Sequence, residues 1–398
     1  MTQSRTSTDP VVIASAARTP MGGFQGALAD ISGPDLGAVA VRAAAERAGL
    51  SSGAVDEVMM GCVLSAGAKQ APARQAALKG GLDQSTTCTT VSKVCGSGMK
   101  AIMLAHDALA LGHGDVIIAG GMESMTNAPY LLTKARGGYR LGHGEVKDHM
   151  FLDGLEDAYE GRLMGTYAEE TAKHYQFSRE AQDAYALESL ARAKRAIEGG
   201  SFAPEIVPVA VQSRKGEIEV AQDEQPLKAD PAKIPTLKPA FAKDGTVTAA
   251  NASSISDGAA ALVLMRLSEA EKRGLKPLAA IRGHSGFAQA PAWFTTAPVG
   301  AINKLFEQTG WKASDVDAYE INEAFAIVVM AAMKEIGLSH DNINIYGGAT
   351  ALGHPIGASG ARIVVTLLNA LKQGGGKRGV ASLCIGGGEA TALAVELM

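Results

Sequence analysis

Four cysteines and eight histidines occur in a chain of 398 residues, and one cysteine stands where its chemistry can be used. Cys95 lies in "VCGSGMKA" (Val94–Ala101), ahead of two glycines and a serine and at the mouth of an apolar-periodic segment. A free thiol near neutral pH is only slightly ionised, and the thiolate is the nucleophile. A helix N-terminus stabilises that anion through unpaired N–H groups and the macrodipole. Gly96 and Gly98 let the backbone approach closely and leave the sulfur accessible. Taken alone, the segment suits an activated nucleophile and a buried small hydrophobe equally well. A nucleophilic cysteine needs a base. His113 and His143 lie in "LGHG" turns, His106 on a helix and His174 in a charged segment, whereas His354 lies in the Gly-rich "GGATALGHPIGASG". Pro355 beside it suits a first helical turn. Cys384 precedes three glycines in "LCIGGGEA", whose N–H groups can serve as oxyanion donors; by itself it also fits a core strand. Asn322 in "EINEAFA" can orient a water or a carbonyl, or cap a helix.

The elements that must position these groups repeat. "AVRAAAERAGLSSGAVDEVMMG" (Ala40–Gly61) matches "AINKLFEQTGWKASDVDAYEIN" (Ala301–Asn322): a helix, Gly with a bulky apolar residue, a polar loop, Val-Asp and a strand. Gly96–Glu123 matches Gly357–Glu389 in the same way, and the offset is about 261 residues in both pairs. Two halves of one fold follow, and the His354 loop becomes the partner of the Cys95 loop, which favours His354 as the base. Met99, Ile102, Met103, Leu109 and Ala110 form a one-sided helical stripe, as do Val364, Leu367, Leu368 and Leu371. Each stripe is followed by a short apolar run, DVIIAGG or GVASLCIGGG, which suits a strand buried on both faces.

Between the halves the texture changes. Residues 122–250 carry 36 charged side chains in 129 positions, against 42 in the other 269. The spacing predicts helices over Thr166–Tyr175 and Arg179–Glu198, in a large insertion expected to lie over the first half. Hydrophobic content of 46%, 47 glycines and 5% aromatics favour an α/β protein of two or three domains. A net charge of −4 implies no general attraction to nucleic acid or anionic membrane. The longest apolar run, Ala324–Met333, is too short to span a bilayer. The N-terminal MTQSRTSTDP lacks a signal-peptide core, and VELM is not a peroxisomal address. Cysteines without zinc-like spacing and too sparse for a disulfide scaffold fit a reducing, cytoplasmic setting.

Together the motifs resemble the thiolase family over essentially the whole chain: "VCGSGMKA" with Cys95, "NEAFA" after Ile321 with Asn322, "GHPIGASGAR" with His354 and "CIGGG" with Cys384. "GGMESMTNAPY", "GTVTAANAS" and "DGAAALVL" agree as well. The resemblance is closest to the family's acetyl-CoA acetyltransferase branch. It implies an α/β fold of duplicated βαβαβαββ halves in five αβαβα layers: residues 1–121 and 250–272 as the N-terminal half, 122–249 as an inserted loop domain and 273–398 as the C-terminal half. It implies acetyl-CoA, acetoacetyl-CoA and CoA as substrates and products, a likeness to homotetramers built from tight dimers, and no metal or other cofactor. The reaction implied is Claisen condensation of two acetyl-CoA through an acyl-Cys95 intermediate, and its reverse thiolysis. His354 would activate Cys95 and Cys384 would remove the Cα proton. His354 and a water on Asn322 would stabilise the enolate, and the N–H groups of Cys95 and Gly386 the tetrahedral oxyanion. The pantetheine arm is implied near Met164, Phe241, Ser253, Ala324 and Phe325, each of which alone also fits core packing; Lys228 fits a solvated surface position better than a phosphate contact.

The chain departs from the family pattern at four places. Leu163-Met164-Gly165 stands where short-chain members often carry His-Met-Gly, which opens the alternative of a broader-range 3-ketoacyl-CoA thiolase of fatty-acid degradation. Leu190 replaces the tyrosine of the potassium-dependent branch, Tyr346 a common Asn, and Glu389-Ala390 a frequent Met-Gly. A decarboxylating condensing enzyme would need a second catalytic histidine at Asn322, and a non-catalytic acyl-binding protein would not need Cys95, His354 and Cys384 together.

Overall fold

The computed structural model describes residues 9–214 and 216–398. The first eight residues, which the sequence assigns to the first half and to a segment without a signal core, lie outside the described residues. The first half runs β1 (Val11–Arg18), α1 (Gly33–Arg47), β2 (Glu57–Gly61), α2 (Pro72–Lys79), β3 (Thr87–Val91), α3 (Ser97–Ala110) and β4 (Val116–Ser124). Helix α1 starts where Ser32 Oγ accepts from the Asp35 N–H and Pro34 fits the first turn. The chain then leaves the sheet for an insertion that contains α4 (Met164–Tyr175) and α5 (Arg179–Glu198), and returns as β5 (Ser256–Arg266). The second half runs β6 (Ala279–Ala288), α6 (Ala297–Thr309), β7 (Ala318–Ile321), α7 (Ala326–Ile336), α8 (Ile356–Gly374), β8 (Arg378–Ile385) and β9 (Glu389–Leu397).

The nine strands form one path, β7-β8-β9-β6-β1-β5-β4-β2-β3. Within the sheet the two lobes are joined where β1 pairs β6, at Val12–Ala280 and Ile13–Ala279. The first half is βαβαβαββ. The second repeats it with one substitution: its third strand is reduced to a single bridge, Tyr319 to Ile343. Asn344, at φ +48°, cannot continue a strand. Its side-chain amide instead accepts from the Ile321 N–H at 2.9 Å and donates to the Ile321 carbonyl at 2.8 Å, doing the work of a neighbouring backbone.

Five layers follow from which faces are apolar. Helices α1 and α2 cover the outer face of the first lobe, where Leu36 and Val41 pack with Val58 and Met60. Helices α3 and α8 lie against each other between the lobes, joining Met99, Ile102 and Leu109 to Val364, Leu367 and Leu371. Helices α6 and α7 cover the second lobe through Ile302, Leu305 and Val328. Each such side chain contributes about 1.5–3 kcal/mol on burial. The insertion departs from expectation. Its helices α4 and α5 lie on the second half, because Tyr167, Ala168, Ala172 and Tyr185 bury against Phe294, Phe325 and Val329. Its later strand residues Val209 and Val211 join the first half's outer core, so the insertion straddles both. Among the described residues no helix is long and apolar enough to cross a membrane.

Candidate active site

Cys95 sits in the turn between β3 and α3. Val94 is forced to φ +45°, a conformation that a β-branched residue rarely adopts. The turn is locked by Ser97, whose Oγ accepts from the Lys93 N–H at 2.8 Å and donates to the Val94 carbonyl at 2.7 Å. A methyl at Gly96 would lie 2.3 Å from Ile385 Cδ1, so a larger residue there has to displace that side chain. The sulfur thus faces the hairpin between β8 and β9. Burial pushes the Cys95 thiol up to about 11, while the Gly386 N–H and its own N–H, both directed at the sulfur, pull it down. Two N–H donors converging on the nucleophile can hold a negative charge that develops there.

Cys384, at the end of β8, is fully buried. Its thiol is raised well above the ordinary value, first by burial and then by the nearby charge of Cys95, so the two sulfurs are electrostatic neighbours. An ion pair between Lys93 and Glu389 ties the Cys95 turn to the same hairpin.

His354 enters from the opposite lobe, just ahead of α8. Its Nδ1 lies 2.6 Å from Ser359 Oγ, which itself donates to the Pro355 carbonyl at 2.9 Å. With the serine hydrogen on the Pro355 carbonyl, Oγ accepts from Nδ1–H and Nε2 presents a lone pair, the arrangement a base requires. That Nε2 is buried and has no hydrogen-bond partner. Burial, and then the charge of Arg362, push His354 down to about 3, so the resting ring is neutral. Asn322 Nδ2 lies 3.5 Å from His354 Nδ1, and Asn322 Oδ1 is a second buried atom without a partner. Buried polar atoms are nearly always satisfied, so unpartnered atoms on two residues in contact mark a place where another molecule's polar atoms belong.

A cavity of about 380 Å³ opens onto this cluster. Its wall includes Cys95, His354 and Gly386 together with Met164, Phe241, Ser253, Ala324 and Phe325. Asn322 and Cys384 stand behind that wall, Asn322 against His354 and Cys384 beside Cys95. Phe241 and Phe325 meet edge to face at 6.1 Å, and the Ser253 N–H donates to the Ala324 carbonyl at 2.9 Å. The wall is mostly apolar with a few convergent polar groups, the composition of a pocket for a long, largely neutral ligand. Lys228 is not among its residues; it pairs with Glu224 and is 66% exposed.

Several wall and support residues escaped the sequence reading. Phe151, Leu155 and Ile356 line the cavity, beside Leu163, which the sequence had already singled out. Ser359, whose hydroxyl bonds the His354 ring, lies five residues on in the same motif, the one signal that could have exposed it. Glu123 lies behind the site and accepts from the Val63, Leu64 and Gly357 N–H groups; burial pushes it up to about 7. Leu190 is core in the insertion, and Tyr346 Oη bonds Gln373 Oε1 at 3.0 Å.

Two family models match the chain: "Thiolase, N-terminal domain" over residues 11–268 and "Thiolase, C-terminal domain" over residues 275–397. Acetyl-CoA acetyltransferase 2 of Arabidopsis thaliana is 51% identical, over 98% of this chain and 97% of its own. The acetyl-CoA acetyltransferase of Escherichia coli K12 is 51% identical, over 97% and 98%. The mitochondrial acetyl-CoA acetyltransferase of Mus musculus is 48% identical, over 99% and 92%. The crystal structure of the Acat5 thiolase from Ascaris suum in complex with coenzyme A superposes with a TM-score of 0.93 at 43% identity, covering 98% of this chain and 100% of that one.

Proposed function

The chain belongs to the thiolase family, and from that premise we propose how its residues run the acetyl-CoA C-acetyltransferase reaction. The enzyme condenses two acetyl-CoA to acetoacetyl-CoA and CoA, and catalyses the reverse thiolysis. His354 Nε2 takes the Cys95 proton as the sulfur attacks the thioester carbonyl. The thiolate–imidazolium pair forms only in this step, its mutual attraction and the two N–H donors offsetting the burial that keeps both groups neutral at rest. Collapse expels CoA as a thiolate. The proton it needs comes from Cys384, which is left as the thiolate base beside acetyl-Cys95.

Cys384 then removes a Cα proton from the second acetyl-CoA. The enolate oxygen is held from the side of His354 and a water on Asn322. The carbanion attacks the acetyl carbonyl, the N–H groups of Cys95 and Gly386 hold the oxyanion, and the Cys95 sulfur departs and recovers its proton from His354. Protons balance over the cycle, and no metal or further cofactor enters it. Met164, Phe241, Ser253, Ala324 and Phe325 would hold the pantetheine arm. The observation that carries this reading is that Cys95 and His354, one from each lobe, line one apolar cavity, with His354 Nε2 unpartnered and Cys384 next to Cys95 behind the wall.

Acylation with labelled acetyl-CoA, followed by peptide mass analysis, tests it: the label belongs on the Cys95 peptide and is absent from Cys95→Ala. Thiolysis should run fastest with acetoacetyl-CoA; faster turnover of longer 3-ketoacyl-CoA would assign the chain to the broader class that Leu163 raises. A homotetramer in the cytoplasm, serving fatty-acid metabolism, completes the proposal. The sheet edge at Thr87–Val91, with Thr87 and Thr89 exposed, supports pairing between copies, and light scattering reads the assembly directly.

A further inference from the structure

We propose that His106, Asp107 and His284 form a structural site for a divalent transition metal, zinc by its chemistry, on a flank remote from the Cys95 cavity. None of the three lines that cavity. His106 lies nine residues beyond Ser97 on α3, about 14 Å along the helix axis at 1.5 Å per residue. His284 comes from β6 of the other half. Their donor atoms form a small triangle. His106 Nδ1 to Asp107 Oδ1 is 3.1 Å, His284 Nε2 to Asp107 Oδ1 is 2.9 Å, and His284 Nε2 to His106 Nδ1 is 3.2 Å. Zinc–ligand bonds of about 2.0–2.2 Å in a tetrahedron demand ligand–ligand edges of about 3.3–3.6 Å. The triangle meets that demand after opening by a few tenths of an ångström.

The donor set also fits. Two imidazole nitrogens and a carboxylate oxygen suit zinc. Side-chain exposures of 21% for His106, 50% for Asp107 and 16% for His284 leave the fourth position open to water. Lys100, whose charge reaches His284, opposes a cation weakly; the Asp107 carboxylate, in direct contact, outweighs it. The consequence is mechanical. In the sheet the lobes are joined through two residue pairs of β1–β6 pairing. A metal here would tie the far end of the helix that begins behind Cys95 to a strand of the second half, and would stabilise the folded enzyme by mass action.

The test uses chelator-treated enzyme blocked at Cys95 with iodoacetamide, titrated with Co2+ and then Zn2+. The site predicts one Co2+ per chain, with tetrahedral d–d absorption and no thiolate charge-transfer band, displaced by Zn2+, and a melting temperature that rises with Zn2+. In His106→Gln and His284→Gln the affinity should fall by more than the about 10–100-fold that outer-shell changes cost, and the zinc-dependent shift should vanish, with acetyl transfer retained in the unblocked variants. Asp107→Asn, at the most exposed of the three positions, supplies the same readout where a histidine variant does not fold. Absence of Co2+ binding at micromolar concentration, a thiolate band, or undiminished binding by the variants would overturn the assignment.

Discussion

At the scale of single residues, the site works by giving each buried group one job and leaving two atoms without partners. The neighbouring sulfurs of Cys95 and Cys384 are distinguished by their surroundings: Cys95 borders the cavity and faces two N–H groups, whereas Cys384 is buried next to it, behind the lining. Cys384→Ala should therefore still acquire label at Cys95, while condensation falls by about 10²–10⁴-fold, the range for loss of an acid–base group; quench-flow acylation beside steady-state assay separates the two steps. Ser359 Oγ bonds the imidazole and the Pro355 carbonyl and does not line the cavity. Ser359→Ala leaves the Nδ1 proton without its acceptor, at a cost of about 1–3 kcal/mol. Its acylation rate should drop, Ser359→Thr should restore much of it, and the KM for acetyl-CoA should move little.

At the scale of elements, the two catalytic turns are held together by backbone contact. A methyl on Gly121 of β4 would lie 2.0 Å from the Gly357 carbonyl, and one on Gly98 of α3 would lie 2.8 Å from the Ala361 N. These approaches seat the start of α8, and with it His354, against the first half's sheet. Backbone cannot yield as a flexible side chain can. Gly121→Ala should cost about 1–3 kcal/mol in denaturant unfolding, the range for an overpacked core, and should lower acetylation of Cys95 in the fraction that stays folded. A Gly121→Ala enzyme as stable as the parent would show that α8 adapts.

At the scale of the molecule, buried titratable groups set how stability follows pH. Glu123 is raised from 4.5 to about 7 by burial, so the folded protein binds this proton more tightly than the unfolded chain. Its contribution is fully present below about 4.5 and is lost as pH rises through 7. His354 runs the other way: lowered from 6.5 to about 3, its contribution is present above about 6.5 and is lost as pH falls toward 3. Glu123→Gln removes the first slope. The stability difference between parent and Glu123→Gln should shrink as pH climbs from about 4.5 to 7, by at most about 1.4 kcal/mol per unit; a difference independent of pH would place the carboxyl's ordinary value in the folded state.

The sequence alone determined what is written in neighbouring residues. Helix periodicity, glycine-rich turns and the internal repeat exposed two equivalent halves, and the Cys95, His354 and Cys384 motifs stood out because a nucleophile's turn and a base's loop are each encoded within about ten residues. Tertiary structure decided what depends on residues distant in the chain. It laid α4 and α5 on the second half, let Asn344 replace a strand, set the Ser359 hydroxyl against the His354 ring and brought His106 to His284, 178 positions away. Such pairings arise from closing one shared core around two lobes. No local period carries them, since the same apolar stripe would pack equally well against either half until the other surfaces had been covered.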